Sequence, residues 1–175
     1  MSVIVGFIGN RGAGKTLAMT AALWRAHKKG QTVISNYHLS FPHEALTLEK
    51  IRNFKTDNTL QNAAIACDEM HVWFDCRGAM KDKNLLVSYL LAQSRKRNVD
   101  WYYTTQHWLQ VDVRIRRFTD IIVNVENRGG PQEPWVVMSL LDRGTQKCYQ
   151  KQILPRQAKK VGGMYDTNQI VQYDL

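Results

Sequence analysis

The stretch "GNRGAGKT", residues Gly9 to Thr16, fits G-x-x-x-x-G-K-[ST] at every fixed position and constrains the fold more than any other part of the chain. Its glycines let successive backbone N–H groups turn into one concavity that holds phosphate oxygens. The lysine reaches the β- and γ-phosphates, and the final hydroxyl can ligate Mg²⁺. Gly9, Asn10, Arg11, Gly12, Ala13, Gly14, Lys15 and Thr16 are therefore the candidate ATP-binding residues, with Lys15 also serving catalysis and Thr16 also the metal. Such a loop works only where a strand delivers it and a helix follows. Here "SVIVGFI" is apolar and β-rich, and "TLAMTAALWRAHKKG" spaces Leu17, Ala21, Leu23 and Trp24 helically before basic residues and Gly30.

Further along, "QTVISNYHL" reads as a second strand, and Ser40 to Asn62 as a loop with a short helix at "LTLEKIRNF". "AAIACDE" reads as a third strand, Leu85 to Arg97 as a helix with a basic last turn, "VDWYYTTQ" as a fourth strand and "DIIVNVEN" as a fifth. Strands separated by helical segments of this length need crossover connections, which imply a mostly parallel α/β sheet covered on both faces. "WVVMSLLDR" and "KCYQKQIL" around "RGTQ" predict an appended C-terminal β-hairpin. The expected division is an ATPase domain over 1–154 and a weakly patterned arm or tail over 155–175.

Binding a triphosphate is not yet chemistry, which needs an acidic element. "AAIACDE" supplies one at the end of an apolar strand: Asp68 to hold Mg²⁺ and Glu69, on the other side of the strand, to polarise an attacking water. Gln106 closes "YYTTQ" and is the candidate γ-phosphate sensor if that strand lies between the phosphate-loop strand and the acidic one; Thr104 and Thr105 are substitutes for the same role. Arg95 and Arg97, in "SRKRN", and Arg114, Arg116 and Arg117, in "DVRIRRF", are candidates for a finger given to a neighbouring subunit's γ-phosphate. At the helix end, Arg95 and Arg97 also complement the helix dipole.

Composition narrows the partners. At 175 residues the chain suits one domain, and Lys and Arg outnumber Asp and Glu by 24 to 15, a balance that favours polyanions. Three cysteines without a C-x-x-C pair suggest neither a disulfide framework nor a zinc ribbon, and "DEMH" is not a metalloprotease pattern, so His71 is expected to be a structural or surface residue. No apolar run approaches the ~20 residues that span a bilayer. The expectation is a soluble cytoplasmic protein, in a host's cytoplasm if the source is viral.

"GNRGAGKT", "ACDE" and "AQSRKRNVDWYYTTQ", in that order, are similar to the FtsK/HerA group of P-loop ATPases. "VISNYHL", "DEMHVWFDCRG", "TTQHWLQVDVRIRRFTD" and "GMYDT" further resemble Zot-like domains of phage assembly proteins, beside small viral genome-packaging ATPases. The likeness covers most of the chain. It implies a RecA-like (ASCE) P-loop NTPase with strands ordered 5-1-4-3-2 in chain numbering. It also implies phosphate binding by Gly9, Gly14, Lys15 and Thr16, metal and water handling by Asp68 and Glu69, sensing by Gln106, and a ring of subunits on DNA. Zot-like proteins of filamentous phages commonly carry a membrane span after this domain. Its absence here shifts the expectation from membrane-anchored extrusion to a motor that feeds DNA into a capsid, gripping the backbone without regard to sequence and docked on a capsid or membrane protein. Arg77 to Lys83 and Arg114 to Arg117 are the candidate channel or interface segments. A small-molecule kinase and a nucleotide-dependent assembly scaffold are the rival readings.

Overall fold

Ile4–Ile8 (β1) sits near the middle of an eight-stranded sheet, and its position determines where the phosphate loop emerges. The structure, a computed structural model, describes residues 2–54, 60–73, 81–130 and 132–166. In chain order the elements after β1 are Lys15–Lys28 (α1), Thr32–Ser35 (β2), Glu44–Ala45 (β3), Leu48–Arg52 (α2), Ala63–Cys67 (β4), Met70–Trp73 (α3) and Lys81–Arg97 (α4). Val99–Thr105 (β5), Val113–Phe118 (α5), Ile121–Asn127 (β6), Val136–Asp142 (β7), Lys147–Ile153 (β8) and Pro155–Gly162 (α6) complete the set.

The strands lie in the order β3-β2-β4-β5-β1-β6-β7-β8. All pairs from β3 to β6 are parallel, and β6 to β8 form an antiparallel meander. The five strands expected from the sequence are β1, β2, β4, β5 and β6, so their order is the 5-1-4-3-2 of the RecA-like class. The C-terminal hairpin is β7 and β8. Sequence reading misses β3, a two-residue edge strand whose backbone pairs with Ile34 and Ser35 and whose side chains carry no periodic signal.

Parallel strands buried on both faces read as continuous apolar runs, and β4, "AAIAC", is buried at every position. One face packs against α1 and α6 through Phe7, Leu17, Leu23, Val123, Ile153 and Val161. The other face packs residues of α2, α4 and α5 around Ile65, Leu90, Trp101, Tyr103 and Ile115. Burying each such large side chain stabilises the fold by about 1.5–3 kcal/mol.

One expectation needs correction. "QTVISNYHL" is not one strand: β2 stops at Ser35 because Asn36 turns to the acidic strand and Tyr37 is buried against Thr20, with their hydroxyls 2.9 Å apart. The segment from Pro155 begins with α6. In α6, Ala158 and Val161 enter the same apolar cluster as α1, and Tyr165 bridges back to Leu39. Residues 167–175 lie outside the described residues.

Candidate nucleotide site

The loop between β1 and α1 is shaped by what surrounds its glycines. Gly14 has φ 90°, in the left-handed region, and a Cβ on it would lie 2.8 Å from a methyl of Val136. A Cβ on Gly9 would lie 2.5 Å from the carbonyl oxygen of Val125. Lys15 opens α1, is buried, and donates from Nζ to the Asn10 carbonyl oxygen at 3.0 Å. Burial holds its ammonium below the usual lysine range, against the opposing pull of Glu69 and Asp68.

Asp68 and Glu69 follow the carboxyl end of β4, across β5 from the phosphate loop. Thr16 Oγ1 donates to the Asp68 carboxylate, at 3.1 Å from Oδ1 and 3.3 Å from Oδ2. Thr104 Oγ1 donates to Asp68 Oδ1 at 2.6 Å and accepts the Glu69 backbone N–H at 2.9 Å. Burial pushes the Asp68 carboxyl above the ordinary carboxylate range, while the two hydroxyls and Lys15 pull it down and Glu69 adds to the rise. Glu69 is not part of the strand. Its φ of 52° swings it into a turn, where Oε2 stands 3.3 Å from His71 Nε2.

Thr16 and Asp68 present a hydroxyl and a carboxylate side by side, the hard oxygen donors Mg²⁺ takes beside phosphate oxygens and water. Among the described residues no group of three His, Cys, Asp or Glu side chains could hold a metal. His71 Nε2 faces the Glu69 carboxylate, and its Nδ1 is buried with no hydrogen bond among the described residues.

The remaining sequence candidates are more scattered. Gln106 directly follows β5, which does lie between β1 and β4, but its side chain hydrogen-bonds no described residue; Thr104 makes the contacts at the site instead. Thr105 is spent on the His107 carbonyl oxygen. Arg95 is 76% exposed and lies 3.5 Å from Asp120, at the amino end of β6, and the Arg97 guanidinium lies over the Phe54 ring at 4.3 Å. Neither reaches the nucleotide site of its own chain. Arg114 makes a two-point contact with Asp112, and Arg116 donates to the Val111 carbonyl. Of Arg77 to Lys83, residues 77–80 lie outside the described residues.

Sequence reading misses Asn36. Its amide clasps the Asp68 backbone, accepting from the N–H at 2.7 Å and donating to the carbonyl oxygen at 3.0 Å. Its only signal in the sequence is one amide at the end of an apolar run. The far wall of the site is missed as well: a cavity of about 520 Å³ runs from Gly12, Lys15 and Thr16 to residues of α6 and Tyr165.

With this geometry in place, residues 37–165 match the family model described as Zonular occludens toxin (Zot). The chain belongs to the Zot family. The match begins after the phosphate loop and takes in the acidic pair. Among solved structures, the N-terminal domain of zonular occludens toxin from Neisseria meningitidis superposes with a TM-score of 0.69 at 16% identity, covering 95% of this chain and 100% of that one. The genome-packaging NTPase B204 of Sulfolobus turreted icosahedral virus 2, in complex with AMPPCP, gives 0.60 at 12% identity, covering 85% and 96%. B204 of Sulfolobus turreted icosahedral virus, a DNA-packaging ATPase, gives 0.61 at 14% identity, covering 86% and 98%. At these identities the structural likenesses establish the Zot-like P-loop fold. No curated protein matches the sequence. Among the described residues, no helix is long and apolar enough to cross a membrane.

Proposed function

We propose that this chain is an ATP-hydrolysing DNA motor that works as an oligomeric ring, of the kind that packages viral genomes. The observation that carries the reading is the meeting of Lys15, Thr16 and Glu69 around one cavity at the carboxyl ends of β1 and β4, with the Asp68 carboxylate hydrogen-bonded to Thr16. Open α/β sheets bind ligands at that end. The triphosphate lies along the loop, and Lys15 exchanges the Asn10 carbonyl for phosphate oxygen. Thr16 and Asp68 would hold Mg²⁺, which would offset the phosphate charge when bound. Glu69 takes a proton from the water that attacks the γ-phosphorus as the bond to ADP breaks, giving ADP and inorganic phosphate. Gln106 senses the γ-phosphate. A neighbour's arginine, from Arg95 and Arg97 on α4 or from Arg114, Arg116 and Arg117 on α5, completes the site. Basic segments then move along DNA phosphates, with the ring docked on a capsid or membrane protein in the cytoplasm.

Family membership favours a second reading, a phage assembly or extrusion ATPase with the same site. The experiment is steady-state ATP hydrolysis against protein concentration, with and without duplex and single-stranded DNA, beside Lys15→Ala and Glu69→Gln. The expected result is turnover that rises more than linearly with concentration, responds to DNA and vanishes in both variants. Turnover flat per subunit and blind to DNA would leave a kinase or an assembly switch.

A further inference from the structure

On the face of the sheet that packs against α1, a cavity of about 140 Å³ lies between that helix and residues of β1, β5, β6, β7 and β8. Its walls are apolar and include Phe7 of β1, Ala21 and Ala22 of α1, Val123 of β6, and Met138 and Leu140 of β7. The polar side chains that line it are Arg25, Tyr102 and Lys151. It shares no lining residue with the nucleotide cavity, so what it does is independent of the triphosphate reading. We propose that it is a docking site for a partner protein, taking one phenylalanine or leucine side chain from a segment that carries carboxylates beside that residue.

Charge decides the chemistry of the segment. A guanidinium and an ammonium offer only donors, and a phenol adds another. No carboxylate lines the cavity, and among the described residues neither Arg25 nor Lys151 has an ion-pair partner. Both are exposed, whereas Phe7, Ala21, Val123 and Met138 are buried, so the cations stand at the rim of an apolar space. The acid that acts on Tyr102 is Asp100, and it is already engaged. Its carboxylate accepts from the Val3 N–H at 2.9 Å and from the Gln31 amide at 3.0 Å. Burial and Asp100 push the Tyr102 hydroxyl up to about 12 against the pull of Arg25, which keeps it a neutral donor at physiological pH. The complement of such a site is an apolar body with an anion next to it.

Volume decides the class of partner. Sites that enclose a small molecule run from about 300 to 1,000 Å³, and a space of about 150 Å³ admits one benzene ring. At about 140 Å³ the cavity holds one side chain and not a free ligand of ordinary size. Protein interfaces use pockets of this kind, with a desolvated anchor at the centre and a polar rim whose charges speed encounter and fix register. A DNA backbone would meet the two cations and leave the apolar walls empty.

The test titrates the full chain, with its methionine and leucine methyl groups labelled for NMR, against a blocked seven-residue peptide holding one phenylalanine among glutamates and glycines. Two counterparts carry alanine for the phenylalanine, or lysines for the glutamates. The expected result is that the acidic phenylalanine peptide moves the Met138 and Leu140 methyl resonances and binds at least tenfold tighter than either counterpart. In Arg25→Glu combined with Lys151→Glu, preference should pass to the lysine peptide, a reversal that loss of fold does not produce. Ala22→Leu, which fills the cavity from a helix that accepts leucine, should weaken the acidic peptide at least fivefold. Equal binding of the acidic and lysine peptides by the wild type, or no movement of those two resonances, overturns the proposal. So does oligothymidylate that moves them as the peptide does, which would assign the cavity to DNA. An oligomer that dissociates in Ala22→Leu, read by sedimentation velocity, also overturns it and assigns the cavity to a second copy of this chain.

Discussion

Asp68 is where stability and function oppose each other most directly. Its carboxyl is buried and its pKa raised chiefly by that burial, while Thr104 and Thr16 donate to it. A carboxyl whose folded pKa exceeds its unfolded one gives stability that is fully present below the ordinary carboxylate range and is lost as pH rises through the folded value. Asp68→Asn keeps the shape without the buried charge. It should therefore stabilise the nucleotide-free protein by about 1 kcal/mol at neutral pH, with the gap closing toward acid, while abolishing turnover. Thermal melts across pH check this, and a gap that widens in acid would contradict it. Thr104 belongs to the same scale. Its one hydroxyl serves the Asp68 carboxylate and the Glu69 N–H, so Thr104→Val should lower kcat about tenfold and leave the KM for ATP within twofold, consistent with a hydroxyl that orients the acids without gripping the nucleotide.

At the scale of elements, legibility follows how much of each element's reason for existing lies in its own side chains. β1 and β4 are readable because strands buried on both faces need apolar residues throughout, and the acidic pair is readable because it ends such a run. The order of β5 between β1 and β4 comes from family likeness, since pairing partners leave no local trace. β3 is invisible because backbone pairing alone makes it. α6 is hidden for a related reason. In "PRQAKKVG" only Ala158 and Val161 face inward, and the surface that receives them is the remote helix α1. Glu69 is legible in position but not in geometry: a left-handed φ cannot be inferred from a glutamate, and it is His71 and Thr104 that hold the turn. If α6 is part of the domain and not an arm, Val161→Asp, which puts a charge into that cluster, should cost about 2–3 kcal/mol. A melting temperature unchanged from wild type would favour the reading of 155–175 as an arm or tail.

For the molecule as a whole, the question is what its excess of cations is for, since a formal charge of +9 determines neither partner nor surface. On α5 the cations are not equivalent. The Arg114 guanidinium is neutralised by its two-point contact with Asp112, and Arg116 is turned to the Val111 carbonyl. Arg117 is exposed beside Phe118 and is ion-paired to no described residue. A DNA phosphate that displaces counterions from an unpaired arginine gains more than one that must compete with an aspartate. The DNA-motor reading therefore ranks the two: Arg117→Glu should weaken duplex binding more than Arg114→Gln. It should also lower the slope of log affinity against log salt by about 0.9 for each phosphate no longer neutralised, or about 0.7 on a single strand. The weakening should be the same for unrelated DNA sequences, because backbone contacts carry no base information. A salt titration of DNA binding for both variants measures all three. An unchanged slope in Arg117→Glu would remove α5 from the DNA path and leave its arginines to the contact between neighbouring subunits, where the same substitution should then suppress the concentration-dependent rise in ATP turnover.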